Sequence, residues 1–153
     1  MTYQFTYETE IGKIIIVEED GDIIYLGLDD VLADVKEETS LIKKAYEQLL
    51  EYLAGNRESF DLPLAPKGTE FQKRVWDALC AIAYGQTRTY KEVAVAIGND
   101  KASRAIGMAN NRNPIFIMIP CHRVIGTNGK LVGFGGGLPL KEKLLNLETK
   151  LNV

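Results

Sequence analysis

Cys121 stands directly before His122, the only histidine of the 153 residues, in the stretch Ile119-Pro120-Cys121-His122-Arg123-Val124. A thiol is a nucleophile only as thiolate, and an adjacent base or positive charge is what makes it one near neutral pH. The pair is therefore a candidate nucleophile with its own proton acceptor. An apolar run, Ile115 to Ile119, leads into it and predicts a buried extended segment that delivers the cysteine to one place. Pro120 biases Ile119 towards extended backbone and fixes its own φ, which makes the support stiff. A second interpretation, in which Cys121 is a small buried hydrophobe and His122 a surface residue, stays open on the dipeptide alone. Cys80 lies beside Trp76 at helical spacing with no base nearby, so it is expected to pack and not to react.

Other chemistries are disfavoured by composition. Two cysteines without CxxC spacing speak against a disulfide scaffold and a structural zinc site, and one histidine speaks against a His-based metal site. No metal and no cofactor are expected. Gly133-Phe134-Gly135-Gly136-Gly137 is a backbone-rich loop that lets a flat ligand approach main-chain N–H groups. It lacks the lysine and Ser/Thr of a phosphate loop, which excludes nucleoside triphosphate binding by that route. No stretch is apolar and long enough to span a membrane, and Met1 to Phe5 lack a signal-peptide pattern; a reducing cytoplasm is expected. The net charge of −3 is unevenly spread: residues 1–62 carry 15 acidic and 5 basic side chains, whereas residues 84–130 carry 7 basic and 2 acidic ones. The second segment, with Arg88, Lys91, Lys101, Arg104, Arg112, Arg123 and Lys130, suits a polyanion.

The elements that must position the cysteine read as an α+β chain. Tyr3–Tyr7, Lys13–Glu18 and Asp22–Leu28 are strand-like, the last two joined by an Asp20-Gly21 hairpin signal. Ser40 is expected to cap a helix with Leu41, Ala45, Leu49, Tyr52 and Leu53 inward, ending at Gly55. These form an N-terminal sheet-plus-helix lobe over residues 1–62. Residues 63–68, with Pro63 and Pro66, are expected as a linker, and residues 69–153 as a mostly helical C-terminal domain. Thr69 to Gln72 is a capping box opening a helix with Phe71, Val75, Ala78, Leu79 and Ile82 on one face. Thr89 to Glu92 is a second capping box, opening a short helix that stops at Gly98. Asn99 or Asp100 is expected to cap a further helix from Lys101 to about Asn110, completing a helix-turn-helix pattern. Ala102, Ser103, Ala105, Gly107 and Ala109 strip that helix of side chains and leave Arg104 as its one long reach. A major-groove reader presents several long polar side chains, so this smooth helix suits the narrow minor groove, with the arginine entering the stack. Close packing through the same small residues is the other interpretation. A last helix from near Pro139 is expected to turn Leu140, Leu144, Leu145 and Leu147 inward and to carry Glu148 near its end.

Together these residues resemble the O6-alkylguanine-DNA alkyltransferases, the methylated-DNA–protein-cysteine methyltransferases. The likeness runs through Phe71-Gln72 to Trp76, Gly85 with Thr89-Tyr90, Ser103 to Gly107, Asn113-Pro114, Ile119 to Val124, Gly137-Leu138, and Leu144-Leu145 to Glu148. The Pro-Cys-His-Arg core is its most specific part. The N-terminal lobe matches in shape only, the family's being ribonuclease-H-like.

The resemblance implies irreversible transfer of an alkyl group from O6-alkylguanine in DNA to Cys121, once per molecule, with O4-alkylthymine as a further substrate class. It implies that His122 takes the thiol proton through a water, that Glu148 orients His122, and that Asn113 holds the turn around the site. Tyr90 would help rotate the target phosphate and protonate the departing guanine. Arg104 would fill the gap left by a flipped nucleotide. Ala102, Ser103, Ala105 and Gly107, with Arg112 and Arg123, would complete the minor-groove contact to double-stranded DNA by a monomer. Val124, Phe134, Gly135 and Gly136 would line the base pocket. Phe134 and Gly135 stand where many members carry tyrosine and serine, so a hydroxyl contact to the base is missing, and the zinc site of some relatives has no ligands here. A non-catalytic lesion binder of the alkyltransferase-like type is the alternative, and Cys121 argues against it because that class lacks the reactive cysteine.

Overall fold

The structure is a computed structural model that describes residues 1–126 and 137–150. It divides into two compact units, Met1–Lys67 and Gly68–Val153.

In the first unit, β1 (Thr2–Thr9), β2 (Gly12–Glu19) and β3 (Asp22–Gly27) form an antiparallel meander. Asp20 and Gly21 both take positive φ, 52° and 85°, as a two-residue hairpin turn matched to strand twist requires. A short β4 (Val35–Lys36) pairs parallel to β1 and gives the order β3-β2-β1-β4. Its two residues carried no readable strand signal. Helix α1 (Ser40–Leu53) packs on β2 and β3. Thr39, one residue before the expected Ser40, is its N-cap, accepting from the Ile42 N–H, and Ile42 rather than Leu41 is the buried residue of the first turn. Pro63 to Ala65 are more than a linker. The Ile23 N–H donates to Pro63 O at 2.8 Å and the Ala65 N–H to Ile23 O at 2.9 Å, which extends the sheet beyond β3.

In the second unit, α2 (Glu70–Cys80) and α3 (Tyr90–Ala96) each start on a complete capping box, at Thr69 with Gln72 and at Thr89 with Glu92. Helix α4 (Ser103–Asn111) starts later than expected and has no side-chain cap: residues Asn99 to Ala102 form a turn in which the Ala102 N–H donates to Asn99 O. Helices α2, α3 and α4 pack on one another, and the buried Trp76 indole N–H donates to Ala109 O at 2.9 Å, tying α2 to α4. β5 (Arg88–Thr89) and β6 (Val124–Ile125) pair in parallel. α5 (Leu138–Lys150) contacts the 3₁₀ turn Cys121–Arg123.

Candidate active site

The segment entering Cys121 is buried as expected but is not extended. Ile117 takes φ 72°, a rare value for a β-branched residue, and the Met118 N–H donates to Phe116 O at 2.8 Å across it. Pro120, at φ −79° and ψ 65°, centres an inverse γ-turn in which the Cys121 N–H donates to Ile119 O at 2.7 Å. Two tight turns replace the strand. Asn113 clamps them, its Nδ2 donating to Ile119 O at 2.7 Å and its Oδ1 accepting from the Ile115 N–H at 2.9 Å. Strain of this kind persists only where surroundings over-determine it, and every residue from Ile115 to Val124 is buried.

Cys121, 3% exposed, opens the 3₁₀ turn, with His122 and Arg123 following. Burial pushes its thiol up to about 11, against the lowering effects of hydrogen bonding from Asn113 and the charge of Lys141. At rest Cys121 is a thiol, not a thiolate. His122 is fully buried, and its Nε2 lies 2.6 Å from Glu148 Oε2. Burial lowers the imidazole pKa more than Glu148 raises it, so the ring is neutral near pH 7. A carboxylate accepts, so Nε2 carries the proton and Nδ1, also buried, is the basic nitrogen.

Among the described residues, Gly85, His122 and Arg123 donate to Glu148. Oε1 takes the Gly85 N–H at 3.1 Å and Arg123 Nε at 2.8 Å, and Oε2 takes Arg123 Nη2 at 3.0 Å beside His122. Arg123 also donates to Ile82 O at 2.7 Å and sits 5.6 Å over the Tyr84 ring. The expected role of Arg123 in DNA contact is thereby corrected: its guanidinium is buried and committed to Glu148. Its charge is plain in the sequence, whereas the carboxylate that α5 returns to it is not.

Lys141 and Asn110, two buried polar side chains around Cys121, carry no signal in the sequence. Lys141, fully buried, donates from Nζ to Val124 O at 2.5 Å; burial lowers its pKa, and Cys121 acts in the other direction. Among the described side chains of α5, Lys141, Leu144 and Glu148 are the buried ones, spaced as one face, whereas Leu140, Leu145 and Leu147 are half-buried. A search for apolar periodicity passes over a stripe with charge at both ends. Asn110 is buried on α4 and donates from Nδ2 to Cys121 O at 3.3 Å, joining that helix to the cysteine turn.

Tyr90 is the first residue of α3, directly after the Thr89 cap, and the β5–β6 pair sets Arg88 and Thr89 against Val124 and Ile125. That pairing ties the start of α3 to the end of the cysteine turn. Burial, then the proximity of Cys121, raises the Tyr90 pKa, so it remains a proton donor near neutrality. Val124 is buried in β6. Phe134, Gly135 and Gly136 lie outside the described residues.

On α4, Arg104, Ala105 and Arg112 are exposed, and Ser103 and Gly107 are half-buried. A Cβ on Gly107 would meet the Tyr90 ring at 3.8 Å, an ordinary contact, which places this part of α4 beside the start of α3. Ala102 is buried, which corrects its expected part in the DNA contact. Cys80, expected to pack, is exposed at the end of α2.

The chain is similar to known proteins over nearly its whole length. Residues 70–150 match the family model for the 6-O-methylguanine DNA methyltransferase DNA-binding domain, and residues 2–66 that for its ribonuclease-like domain. A methylated-DNA–protein-cysteine methyltransferase of Methanosarcina barkeri is 51% identical over 95% of this chain and 96% of its own length. The constitutive enzyme of that name from Bacillus subtilis is 46% identical over 97% and 96%. The crystal structure of Mycobacterium tuberculosis OGT in complex with DNA superposes with a TM-score of 0.90 at 40% identity, covering 97% of this chain and 94% of that one. With both domains matched along nearly its whole length and the Cys121–His122–Glu148 site in the second, the chain belongs to the 6-O-methylguanine DNA methyltransferase family.

Proposed function

We propose that this protein repairs DNA by direct reversal, moving the alkyl group of O6-alkylguanine irreversibly to Cys121. The observation that carries the proposal is the buried Cys121 thiol next to a neutral His122 whose Nε2 is bound to Glu148. Successive residues of a 3₁₀ turn point about 120° apart, so a water between Sγ and Nδ1 completes the path. As the base enters, Cys121 passes its proton through that water to His122, and Glu148 stabilises the imidazolium. The thiolate attacks the O-alkyl carbon in line. The S–C bond forms, the C–O6 bond breaks, and its electron pair goes to guanine, which takes a proton from Tyr90. His122 then gives up its proton and Tyr90 regains one, so that in sum the thiol proton passes to guanine. The product is a thioether, which has no hydrolytic exit, so each molecule acts once and needs no cofactor.

A target inside a duplex has to leave the stack, at a cost of about a few kcal/mol that a damaged pair reduces. The exposed Arg104 on α4 would occupy the gap, with the helix lying in the minor groove. The protein would act as a monomer in the cytoplasm, where a free thiol endures.

Mass analysis after incubation with duplex DNA carrying O6-methylguanine tests this. One methyl group on the Cys121 peptide is expected, with an O4-methylthymine duplex as a second arm. Methyl on Cys80, or none after excess O6-methylguanine DNA, would overturn the assignment.

A further inference from the structure

Arg104 is not the only long side chain on the outer side of α4. From Lys101 to Arg112 the exposed residues are Lys101, Arg104, Ala105, Met108, Asn111 and Arg112, of which Arg104, Ala105, Met108 and Asn111 share one face of α4. Met108 is 63% exposed. It follows Arg104 by four residues and precedes Arg112 by four, so it sits about 6 Å along the axis from each at 1.5 Å per residue. No carboxylate occurs between Lys101 and Arg112.

The thioether cannot turn inward. Ile106 and Ala109 fill the opposite face, and the Trp76–Ala109 hydrogen bond fixes the helix's rotation. An apolar side chain with a cation one turn to either side is poorly suited to bind phosphate itself. It suits what lies between two phosphate rows. The minor groove is about 6 Å wide and walled by deoxyribose, and an unbranched, adaptable side chain fits such a slot.

We propose that Met108 is a second DNA-contacting side chain, entering the minor groove one helical turn beyond Arg104 and packing against the sugar walls while the flanking cations hold phosphates. Side chains of this type also act as wedges that loosen a base step, which would ease rotation of the target nucleotide. The inference rests on the proposed reading of α4 as the DNA-facing helix.

Duplex affinity across a salt series for the parent protein, Met108→Ala, Met108→Gln and Met108→Leu tests it. The substitutions leave the buried face of α4 intact, and thermal unfolding is expected to match the parent's. Met108→Ala and Met108→Gln should each weaken duplex binding roughly tenfold, the scale expected for losing a buried methionine contact. Their salt slope should match the parent's, and Met108→Leu should retain most of the affinity. Unchanged or tighter binding by Met108→Ala would overturn the proposal, since the side chain would then be idle or in the way. So would a Gln variant that binds like the parent. If Arg104→Ala also leaves duplex binding and repair untouched, the DNA-facing role of α4 fails, and the inference falls with it.

Discussion

At Cys121 burial raises the thiol to about 11, while Asn113 and Lys141 pull it down. A resting thiol that water scarcely reaches is protected from oxidants and from stray electrophiles, and becomes a nucleophile only when its proton has somewhere to go. Accessibility and reactivity are thereby separated between the two cysteines. A bulky maleimide should modify the exposed Cys80 before the buried Cys121, whereas methyl from DNA should reach Cys121 alone; peptide mapping of both reactions reads this directly. Burial also makes stability depend on pH in a defined sense. The Cys121 pKa is raised on folding, from 9.0 to about 11, so the unfolded chain loses its proton first and stability falls as pH rises through that window. The contribution is about 1 kcal/mol between pH 8 and pH 10. Lys141, lowered from 10.5, acts in the opposite sense at the alkaline end, so the comparison with Cys121→Ala isolates the thiol. His122 is lowered from 6.5 by burial, and the unfolded chain takes up its proton first as pH falls, so stability is lost below about 6.5. Urea denaturation across this range should show a plateau between the two windows, with the alkaline loss reduced in Cys121→Ala. An unchanged alkaline limb in that variant would show the thiol not to be responsible.

Between elements, the carboxylate of Glu148 joins α5 to the cysteine turn through His122 and Arg123, and to the turn between α2 and β5 through the Gly85 N–H. Removing its charge leaves the Arg123 guanidinium buried without a counterion, which costs about 3–5 kcal/mol. Glu148→Gln should therefore lose stability on that scale as well as repair rate; a variant that folds as well as the parent and loses only rate would mean that Arg123 had found another anion. Thr89 makes a finer test, because it caps α3 directly ahead of Tyr90. Thr89→Ala should cost about 1 kcal/mol and should slow repair in single-turnover assays at temperatures where the variant is fully folded, with Thr89→Ser restoring both. These elements also mark how far a sequence can be read. Capping boxes are local, so Thr69 and Thr89 announce their helices. The turn at Ile117 is imposed from outside, by Asn113 and by burial on every side, and five apolar residues in a row look the same whether extended or folded back. Lys141 was hidden for a different reason: a lysine is read as solvated until a carbonyl such as that of Val124 is known to await it.

For the molecule as a whole, the Cys-His pair and the distant Glu148 were legible because residue types and order were enough to name the family. Which cations face outward was not legible. Of the basic residues between 84 and 126, Arg123 is consumed internally, while Lys91, Lys101, Arg104 and Arg112 are exposed. A chain of net charge −3 therefore has to bind a polyanion through a local patch, against the general repulsion of its acidic remainder. Binding of that kind is driven by counterion release, and its salt dependence counts the phosphates neutralised. If roughly three or four of the exposed cations reach phosphates, log K should fall with log salt at a slope of about −3 to −4, an affinity loss on the order of a hundredfold between 50 and 200 mM. Arg112→Ala should reduce the slope by about one and weaken all sequences alike, as loss of a phosphate contact does. Arg123→Lys should leave the slope unchanged, because that charge does not face DNA. Fluorescence anisotropy with an undamaged duplex measures all three. A flat profile in the parent would remove the electrostatic basis of the interface, and a slope that falls with Arg123→Lys would return Arg123 to the surface.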